Sequence, residues 1–476
     1  MDEKISKEKT AFVSNTFGTT IPEVFQVAAT PVLSCMLYAL IKCKFGLSRS
    51  GRWYKDCLLF LIENFLIVFT GFFSVTLLSD YVLQLNLALL FLNTIALHSH
   101  IRNKMSFKQF IYLCHHINPV ENMYLTNYKA LMHICTAICV LAVDFNIFPR
   151  RFAKAEVYGV GVMDMAVGSY IFSNALTSTQ ARVRLNCALP FSDVTKNLKN
   201  SLILVCCGAM RVLFIKGSNY QEHVNEYGVH WNFFFTLALI KPLATFILYL
   251  LPWYQKQLGY LSLSVIIVTL YQICLSRFGL TDVIQDGLQG DKSRASFIDA
   301  NREGLFSCIG YLSLYFCGLF FGRQIFKAKL PLVNKIFWLF LWFLSMLVVL
   351  NASLYFVSPI SRQMANLSYF LVQVACNCFL LIGFMLIDLF CELLDRFNEK
   401  KNNNKSNIFY SSLSVLCRAI NRNLLLYFIL CNVLTGIVNF MFDTINCSNL
   451  MAVIINLFYL LGLNLVIWII FIFQLS

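Results

Sequence analysis

Charged side chains are scarce in this sequence. Only 13% of its 476 residues are Asp, Glu, Lys or Arg, whereas 58% are hydrophobic, and a soluble domain usually carries about 25% charged residues. A water-soluble protein of this length has too little interior to bury so much apolar surface. The composition therefore excludes an ordinary soluble enzyme and indicates a membrane protein.

Motifs for metal and redox chemistry are also absent. The 18 cysteines contain no C-x-x-C pair, and no H-E-x-x-H string occurs, so the usual zinc and redox spacings are excluded. Most cysteines lie in apolar segments, as expected of cysteine used as a small buried hydrophobe. We predict no metal, while a site built from the Glu and His side chains of 222–230 stays open as an alternative.

Neither a basic domain nor a cleavable signal peptide is evident. The net charge is +14, but the cations are spread over short loops, which is typical of orientation signals in membrane proteins. The first ten residues carry charges of both signs, and no short apolar region with a small-residue cleavage site follows them. We therefore expect no nucleic-acid partner and no cleaved leader.

Long apolar runs dominate the sequence instead. Many exceed the ~20 residues that span a bilayer as a helix, and they lack the ten-residue alternation that a transmembrane barrel requires. We predict an all-α polytopic membrane protein, a single bundle of about 13 transmembrane helices that forms one domain over 1–476, with a flexible cytosolic loop at about 392–419. The predicted spans are 19–42, 56–78, 81–99, 125–146, 155–178, 198–216, 229–252, 257–276, 303–322, 334–357, 366–391, 420–443 and 449–473.

The loop cations also predict an orientation. Lys and Arg are about twice as frequent in the loops after the odd-numbered spans as in the N-terminus and the other loops. Because cytoplasmic loops of membrane proteins are enriched in Lys and Arg, we predict a lumenal N-terminus and a cytosolic C-terminus.

One charged stretch stands at the predicted membrane edge. It reads LAVDFNIFPRRFAK, in which Asp144 lies near the end of an apolar helix and Arg150, Arg151 and Lys154 follow Pro149. Ionisable groups at such a position are costly and indicate a function. Two interpretations stay open: the cations extend to lipid headgroups or pair with Asp144, or they hold an anionic group such as a phosphate.

Other polar groups interrupt the apolar runs. Asp164 lies inside VMDMAVGSY and Arg211 inside CCGAMRVLFIK, where Asp144 or Asp164 could serve as the anion for Arg211, functionally or only structurally. The segment NYQEHVNEYGVHWN reads as a polar re-entrant segment that lines a water-filled cavity. A third cluster, DANREG, opens the ninth span. The predicted topology puts these clusters on the same side as Asp144, which favours one composite site.

Several strings resemble one enzyme family. AVDFNIFPRRFAKAE, VMDMAVGSYIFSNAL, YQEHVNEYGVHWNFFFTLAL, ANREGLFSCIGY and SRQMANL resemble the glucosaminyl-phosphatidylinositol acyltransferases of GPI-anchor biosynthesis, in their fungal-type branch. The resemblance covers roughly 139–240 and, more patchily, 299–312, 358–370 and 432–439. SRQMANL departs from a more basic family form, in which Arg commonly stands at the position of Gln363.

The resemblance implies an activity and a location. The family transfers a fatty acyl group, usually palmitoyl, from acyl-CoA to the inositol ring of glucosaminyl-phosphatidylinositol in the endoplasmic reticulum membrane. Acyl-CoA is a co-substrate, and no cofactor is implied. The family's functional acid and lysine fall on Asp144 and Lys154.

The chemistry of acyl transfer suggests a role for each group. A sugar hydroxyl that attacks a thioester needs a base and a donor for the oxyanion, so we hypothesise that Asp144 is the base, and that Lys154 stabilises the oxyanion and orients Asp144. Arg150, Arg151 and Arg211 are candidates for phosphates of the lipid or of CoA. The other predicted substrate-binding residues are Asp164, Asn174, Gln221, Glu222, His223, Glu226, His230, Trp231, Asn232, Asn301 and Arg302.

Three alternatives remain at this stage. The spans and buried charges also suit a polytopic lipid transporter or a non-catalytic membrane subunit. By analogy with membrane-bound O-acyltransferases that use a histidine, His223 or His230 could replace Asp144 as the base.

Overall fold

The protein is helical throughout the part that can be described. A computed structural model describes residues 16–45, 53–101, 122–182, 191–217, 224–251, 258–327, 330–402 and 414–474. Within these ranges the only β pairing is one isolated bridge between Gly18 and Val160. Eleven helices there are long and apolar enough to cross a membrane. The prediction of an all-α polytopic membrane protein is confirmed, although its count of 13 spans is not.

These helices carry apolar side chains on nearly all faces, as segments that lie in hydrocarbon do. The chain is helical there because hydrocarbon offers the backbone no hydrogen-bond partner, whereas a helix satisfies its own N–H and C=O groups. Pro31 and Pro242 both lie inside membrane helices, where tight packing tolerates them. The helices are α1 Ile21–Phe45, α2 Trp53–Glu63, α3 Thr70–Ser74, α4 Val82–Ile101, α5 Met123–Ala142, α6 Asp164–Leu176, α7 Thr179–Arg182, α8 Phe191–Gly217, α9 Val224–Tyr227, α10 Phe233–Leu250, α11 Gly259–Arg277, α12 Leu280–Asp286, α13 Phe297–Ala300, α14 Arg302–Lys327, α15 Leu332–Phe356, α16 Leu367–Asn402, α17 Val415–Arg422, α18 Leu424–Met441 and α19 Asn449–Phe473, with a π-helical turn at Asn64–Phe69 and 3-10 turns at Ser79–Tyr81 and Arg150–Phe152.

The chain divides into two compact units. The first comprises the residues up to Thr19, Ala153–Lys329 and Phe343–Asn377, and the second comprises Thr20–Phe152, Leu330–Trp342 and Cys378–Ser476. The predicted single domain over 1–476 stays a prediction.

Helix α14 is the central element of the first unit. It packs against α6, α10 and α11, and 83% of its membrane-spanning window is buried. Gly322 lets α14 approach α6 closely, because a Cβ at this position would overlap the carbonyl oxygen of Leu176. Such small-residue contacts are the usual way in which membrane helices pack tightly.

Helix α5 has the corresponding place in the second unit, where it packs against α17, α18 and α19. Buried carboxylates complete helix ends there. Glu63 accepts hydrogen bonds from the backbone N–H groups of Val415 and Leu416, both at 2.8 Å, and Asp388 accepts one from that of Tyr124 at 2.7 Å. These acids satisfy first-turn donors that have no partner within their own helices.

Three sequence-based boundaries differ from the structure. The predicted span 155–178 contains only α6, whose 13 residues rise about 20 Å and fall short of a bilayer core of about 30 Å. The predicted span 198–216 lies inside α8, which is not among the eleven membrane helices. The predicted loop 392–419 begins as a continuation of α16 and ends in α17, and its middle, 403–413, lies outside the described residues.

Candidate active site

The loop that carries Lys154 is wrapped around a buried carboxylate. The chain is irregular between the turn Arg150–Phe152 and the start of α6. Asp164, which is 0% exposed, accepts hydrogen bonds on Oδ2 from the backbone N–H groups of Ala155 at 3.0 Å and Gly161 at 2.7 Å. The predicted membrane span is thus interrupted because Asp164 folds the preceding residues back onto itself.

The N-terminal segment holds the same loop from its other side. Thr16 Oγ1 donates to the carbonyl oxygen of Lys154 at 2.6 Å, and the N–H of Thr19 donates to the carbonyl oxygen of Val160 at 2.7 Å. Gly159 has φ +121°, and a Cβ there would overlap the carbonyl oxygen of Phe17. Only glycine tolerates both the conformation and the close approach.

Two side chains, Arg362 and Glu226, connect this buried carboxylate to Lys154 in a series of alternating charge. Arg362 Nε donates to Asp164 Oδ1 at 2.7 Å, Arg362 Nη1 lies 3.7 Å from Glu226 Oε1, and Lys154 Nζ donates to Glu226 Oε1 at 2.6 Å. We call Asp164, Arg362, Glu226 and Lys154 the charge chain. Each buried charge touches one of opposite sign, which offsets part of the cost of removing it from water.

Exposure rises steadily along the charge chain. The side chains of Asp164, Arg362, Glu226 and Lys154 are 0, 3, 17 and 35% exposed. The ammonium group of Lys154 is therefore the most accessible end of a charge network whose other end is buried.

The neighbouring charges keep Glu226 and Arg362 ionised. Burial alone would raise the pKa of Glu226, but Lys154 and Arg362 outweigh it and lower that pKa to about 2. Burial opposes the charge of Arg362, yet Glu226 and Asp164 raise its pKa above the usual value for arginine. Glu226 is therefore an anion and Arg362 a cation at every physiological pH.

Asp144 has a different environment, in the second unit. It follows the last turn of α5, is partly buried, and accepts a hydrogen bond on Oδ2 from Asn439 Nδ2 at 2.7 Å. Arg150 is close enough for Asp144 to raise its pKa, but burial is the larger effect and lowers the pKa of Arg150 to about 10. Arg150 Nη2 itself donates to the carbonyl oxygens of Val143 at 2.6 Å and Phe148 at 3.2 Å.

Comparison with known proteins identifies the family of this chain. The family model described as GWT1 matches residues 5–470. The chain belongs to the GWT1 family. A mouse relative named glucosaminyl-phosphatidylinositol-acyltransferase PIGW is 30% identical, with 98% of each chain covered. The human protein of the same name is 29% identical, with 99% of this chain and 98% of its own covered. A relative from Aspergillus fumigatus named GPI-anchored wall transfer protein 1 is 31% identical, with 96% of each chain covered.

The predicted family and the prediction of an acyltransferase are thereby confirmed. No comparison tests the predicted site residues of this GWT1-family protein, so their roles stay predictions. The structure does show where each of them lies and what it contacts.

The polar segment before α10 is only partly described in this GWT1-family chain. Gln221, Glu222 and His223 lie outside the described residues. Glu226 belongs to the charge chain, as described above. His230 is exposed, and its backbone N–H donates to Asn301 Oδ1 at 2.8 Å.

The remaining residues of this segment stabilise the fold locally. Asn232 caps α10 by accepting from the N–H of Phe234 at 3.0 Å, and it donates to the carbonyl oxygen of Gly208 at 3.0 Å. Trp231 Nε1 donates to Thr236 Oγ1 at 3.0 Å. These contacts order the chain around Glu226, and the substrate contacts predicted for Asn232 and Trp231 stay predictions.

Two further arginines are among the candidate residues. Arg302 is 2% exposed and donates to the carbonyl oxygens of Ile284, Ser293 and Gln285, which stabilises the fold locally; the substrate contact predicted for it stays a prediction. Arg211 was expected to be buried against an acid; instead its side chain is exposed, and the cation that pairs with Asp164 is Arg362. Arg211 still helps to lower the pKa of Glu226. Asn174 is exposed on α6.

The two arginines after Pro149 contact protein groups. Arg151 donates to Glu23 at 3.1 Å and to Asp80 at 2.6 Å, and Arg150 donates to main-chain carbonyls near the end of α5. Pairing with Asp144 was one expectation for these cations, and the charge of Asp144 does act on Arg150; the expectation stays open. The phosphate contacts predicted for both stay predictions. Among the described residues, no three His, Cys, Asp or Glu side chains are grouped so that they could hold a metal ion.

Sequence reasoning missed two residues of the site. Arg362 stands in SRQMANL, which forms a tight turn: the N–H of Ser361 donates to Asn366 Oδ1 at 3.1 Å, and Ala365 has φ +48°. Asn439 is the last residue of NVLTGIVN. Both strings were noticed for their resemblance. For Arg362, a further signal was available, since the buried Asp164 required a cation.

Proposed function

We propose that this GWT1-family protein transfers a fatty acyl group from acyl-CoA to the inositol ring of glucosaminyl-phosphatidylinositol in the endoplasmic reticulum membrane. The observation that carries the proposal is the match to acyltransferases of that lipid over 98% of this chain. The acyl group we propose is palmitoyl. The N-terminus is proposed to be lumenal and the C-terminus cytosolic, on the distribution of loop cations.

The reaction requires two tasks of the protein. The inositol hydroxyl oxygen attacks the thioester carbon, its proton passes to a base, and the carbonyl oxygen becomes an oxyanion. The oxyanion then collapses, the carbon–sulfur bond breaks, and the thiolate of CoA takes up the proton. In this scheme Asp144 accepts the proton and returns it, and Lys154 stabilises the oxyanion.

The surroundings of each residue support its proposed role. An ammonium group has three N–H donors; Glu226 takes one from Lys154, which leaves donors for an oxyanion. Asp144 is partly buried, accepts a hydrogen bond from the side-chain amide of Asn439 and lies near Arg150. These contacts hold its carboxylate in place, and a general base must be held within reach of the proton that it accepts.

A direct assay tests the proposed function. The full-length protein is purified and given palmitoyl-CoA with a labelled acyl chain together with glucosaminyl-phosphatidylinositol. We expect labelled acylated lipid and an equal amount of free CoA. A lipid transporter or a non-catalytic subunit would produce neither, so an absence of product from folded protein would contradict the proposal. The relatives' names favour the enzyme over both alternatives.

A further inference from the structure

We propose that Glu226 and Arg362 are positioning residues, which fix the ammonium group of Lys154 where the oxyanion forms. The inference rests on the function proposed above, in which Lys154 is the oxyanion donor. It adds a reason for the buried charges next to Lys154, which no comparison assigns.

The first step concerns what Glu226 is for. The loop of Lys154 is already held by hydrogen bonds that Thr16 and Thr19 donate to it and by one that Asp164 accepts from it. The contacts that the Glu226 carboxylate makes are with two cations, at 2.6 Å from Lys154 Nζ and at 3.7 Å from Arg362 Nη1. The position of the Lys154 main chain therefore does not depend on Glu226, whereas the position of its side-chain nitrogen does.

The second step concerns what Arg362 and Asp164 each contribute to the charge chain. Arg362 donates to Asp164 at 2.7 Å but stays 3.7 Å from Glu226. The charge of Arg362 therefore helps to keep Glu226 ionised, while Lys154 makes the short hydrogen bond to Glu226. Asp164 is buried and also accepts hydrogen bonds from two backbone N–H groups, so it holds the guanidinium group of Arg362 in a fixed position.

The third step concerns why positioning matters here. A lysine side chain has a flexible four-carbon stem and three rotatable donors, so an unanchored ammonium samples many positions. Stabilisation of a transition-state oxyanion depends on donors that are already in place. The anchor should therefore act on the rate of the chemical step and not on substrate affinity.

The matching experiment uses purified full-length variants. Glu226→Gln keeps the shape and one acceptor but removes the charge; we expect kcat to fall by about 10- to 100-fold, with KM for both substrates within about twofold of wild type. Glu226→Asp and Arg362→Lys keep the charges and should recover part of the loss. Arg362→Gln should resemble Glu226→Gln.

A matched control separates positioning from stability. Glu63 is a fully buried carboxylate of the second unit, and it accepts hydrogen bonds from the backbone N–H groups of Val415 and Leu416. Glu63→Gln makes the same change of side chain; it should lower thermal stability at least as much as Glu226→Gln but leave kcat near wild type. An equal loss of kcat in Glu63→Gln would mean that the loss of any buried carboxylate has this effect, and would overturn the inference.

Lys154→Ala distinguishes the inference from the function on which it rests. If Lys154→Ala is inactive while Glu226→Gln has a normal kcat, the inference is wrong and the proposed function stands. If Lys154→Ala is as active as wild type, the proposed role of Lys154 fails first. A rise in KM without a change in kcat in Glu226→Gln would assign the carboxylate to substrate binding and would also overturn the inference.

Discussion

The two candidate catalytic residues have different surroundings. Lys154 ends a chain of four alternating charges, two of which are buried, whereas Asp144 accepts a hydrogen bond from the neutral amide of Asn439 and lies near the cation Arg150. A group that must stay charged throughout the reaction benefits from a permanent counter-ion. Lys154 has such a counter-ion in Glu226, at 2.6 Å. The surroundings of Lys154 therefore match the role proposed for it.

The two turns are also held in different ways. The turn of Asp144 is held by side chains: Arg150 donates to the carbonyl of Val143 at 2.6 Å, and Asn146 donates to that of Ile445 at 2.5 Å. The loop of Lys154 is held by the buried carboxylate of Asp164, which accepts from two backbone N–H groups, and by backbone contacts, among them the close approach of Gly159 to Phe17. A change at Gly159 should therefore loosen the Lys154 loop and leave the side-chain donors of the Asp144 turn in place.

Removing the base gives the largest expected effect. Asp144→Asn should lower kcat by about 10²- to 10⁴-fold, since general base catalysis contributes about that much. Lys154→Ala should cost about 10²- to 10³-fold, as expected for one oxyanion donor. The measurement is the transfer of labelled acyl groups by equal amounts of folded protein. The exposed Asp291→Asn is the matched control, and a wild-type rate in Asp144→Asn would remove Asp144 as the base.

Removing the hydrogen bond that Asn439 donates to Asp144 should have a smaller effect on kcat. Asn439→Ala removes one hydrogen bond from the carboxylate, and we expect kcat to fall about tenfold because the carboxylate is held less well, at a cost of about 1.4 kcal/mol. Kinetics of Asn432→Ala serve as the control, since Asn432 lies on the same helix and donates to the carbonyl oxygen of Phe428. Equal kinetics in the two variants would show that Asn439 has no special relation to the base.

A substitution that disturbs the backbone of the Lys154 loop should lower the thermal stability of the protein. Gly159→Ala forces a side chain into a conformation that glycine tolerates and into the space of the Phe17 carbonyl, at a cost of about 1–3 kcal/mol. A lower midpoint of thermal unfolding measures this cost. Gly462→Ala is the control, because nothing lies within 4 Å of a Cβ at that position. If both variants unfold at the wild-type temperature, the close approach does not constrain the loop.

The smallest expected effect is a change with pH in the stability that the charge chain contributes. The pKa of Glu226 is lowered to about 2 from about 4.3 in an unfolded chain, so its ionisation stabilises the fold fully above pH 4.3 and the contribution is lost as the pH falls towards 2. The difference in thermal stability between wild type and Glu226→Gln should therefore be constant from pH 5 to 8 and shrink below pH 4. A difference that changes between pH 6 and 7 would point to another titrating group.

Local sequence was enough to select some of the candidate residues of this site. Asp144, Pro149 and Lys154 could be chosen because charges are conspicuous at the end of an apolar run, where each is costly. Glu226 was found for the same reason, within a polar segment between two spans. Arg362 and Asn439 were not chosen, because each is one polar residue in a short string and its meaning depends on a partner 198 or 295 positions away.

Composition and hydropathy by themselves determined that this protein is helical and lies in a membrane, since a lipid environment leaves an apolar chain few other ways to satisfy its backbone. The family resemblance was also present in the order of residues alone. Only the tertiary structure decided that 155–163 is a loop and not the start of a span, because the carboxylate of Asp164 outweighs the local helix preference by binding two backbone N–H groups. Only the fold, again, decided that Lys154 reaches Asp164 through Glu226 and Arg362, since pairing between distant charges is set by packing and not by local sequence.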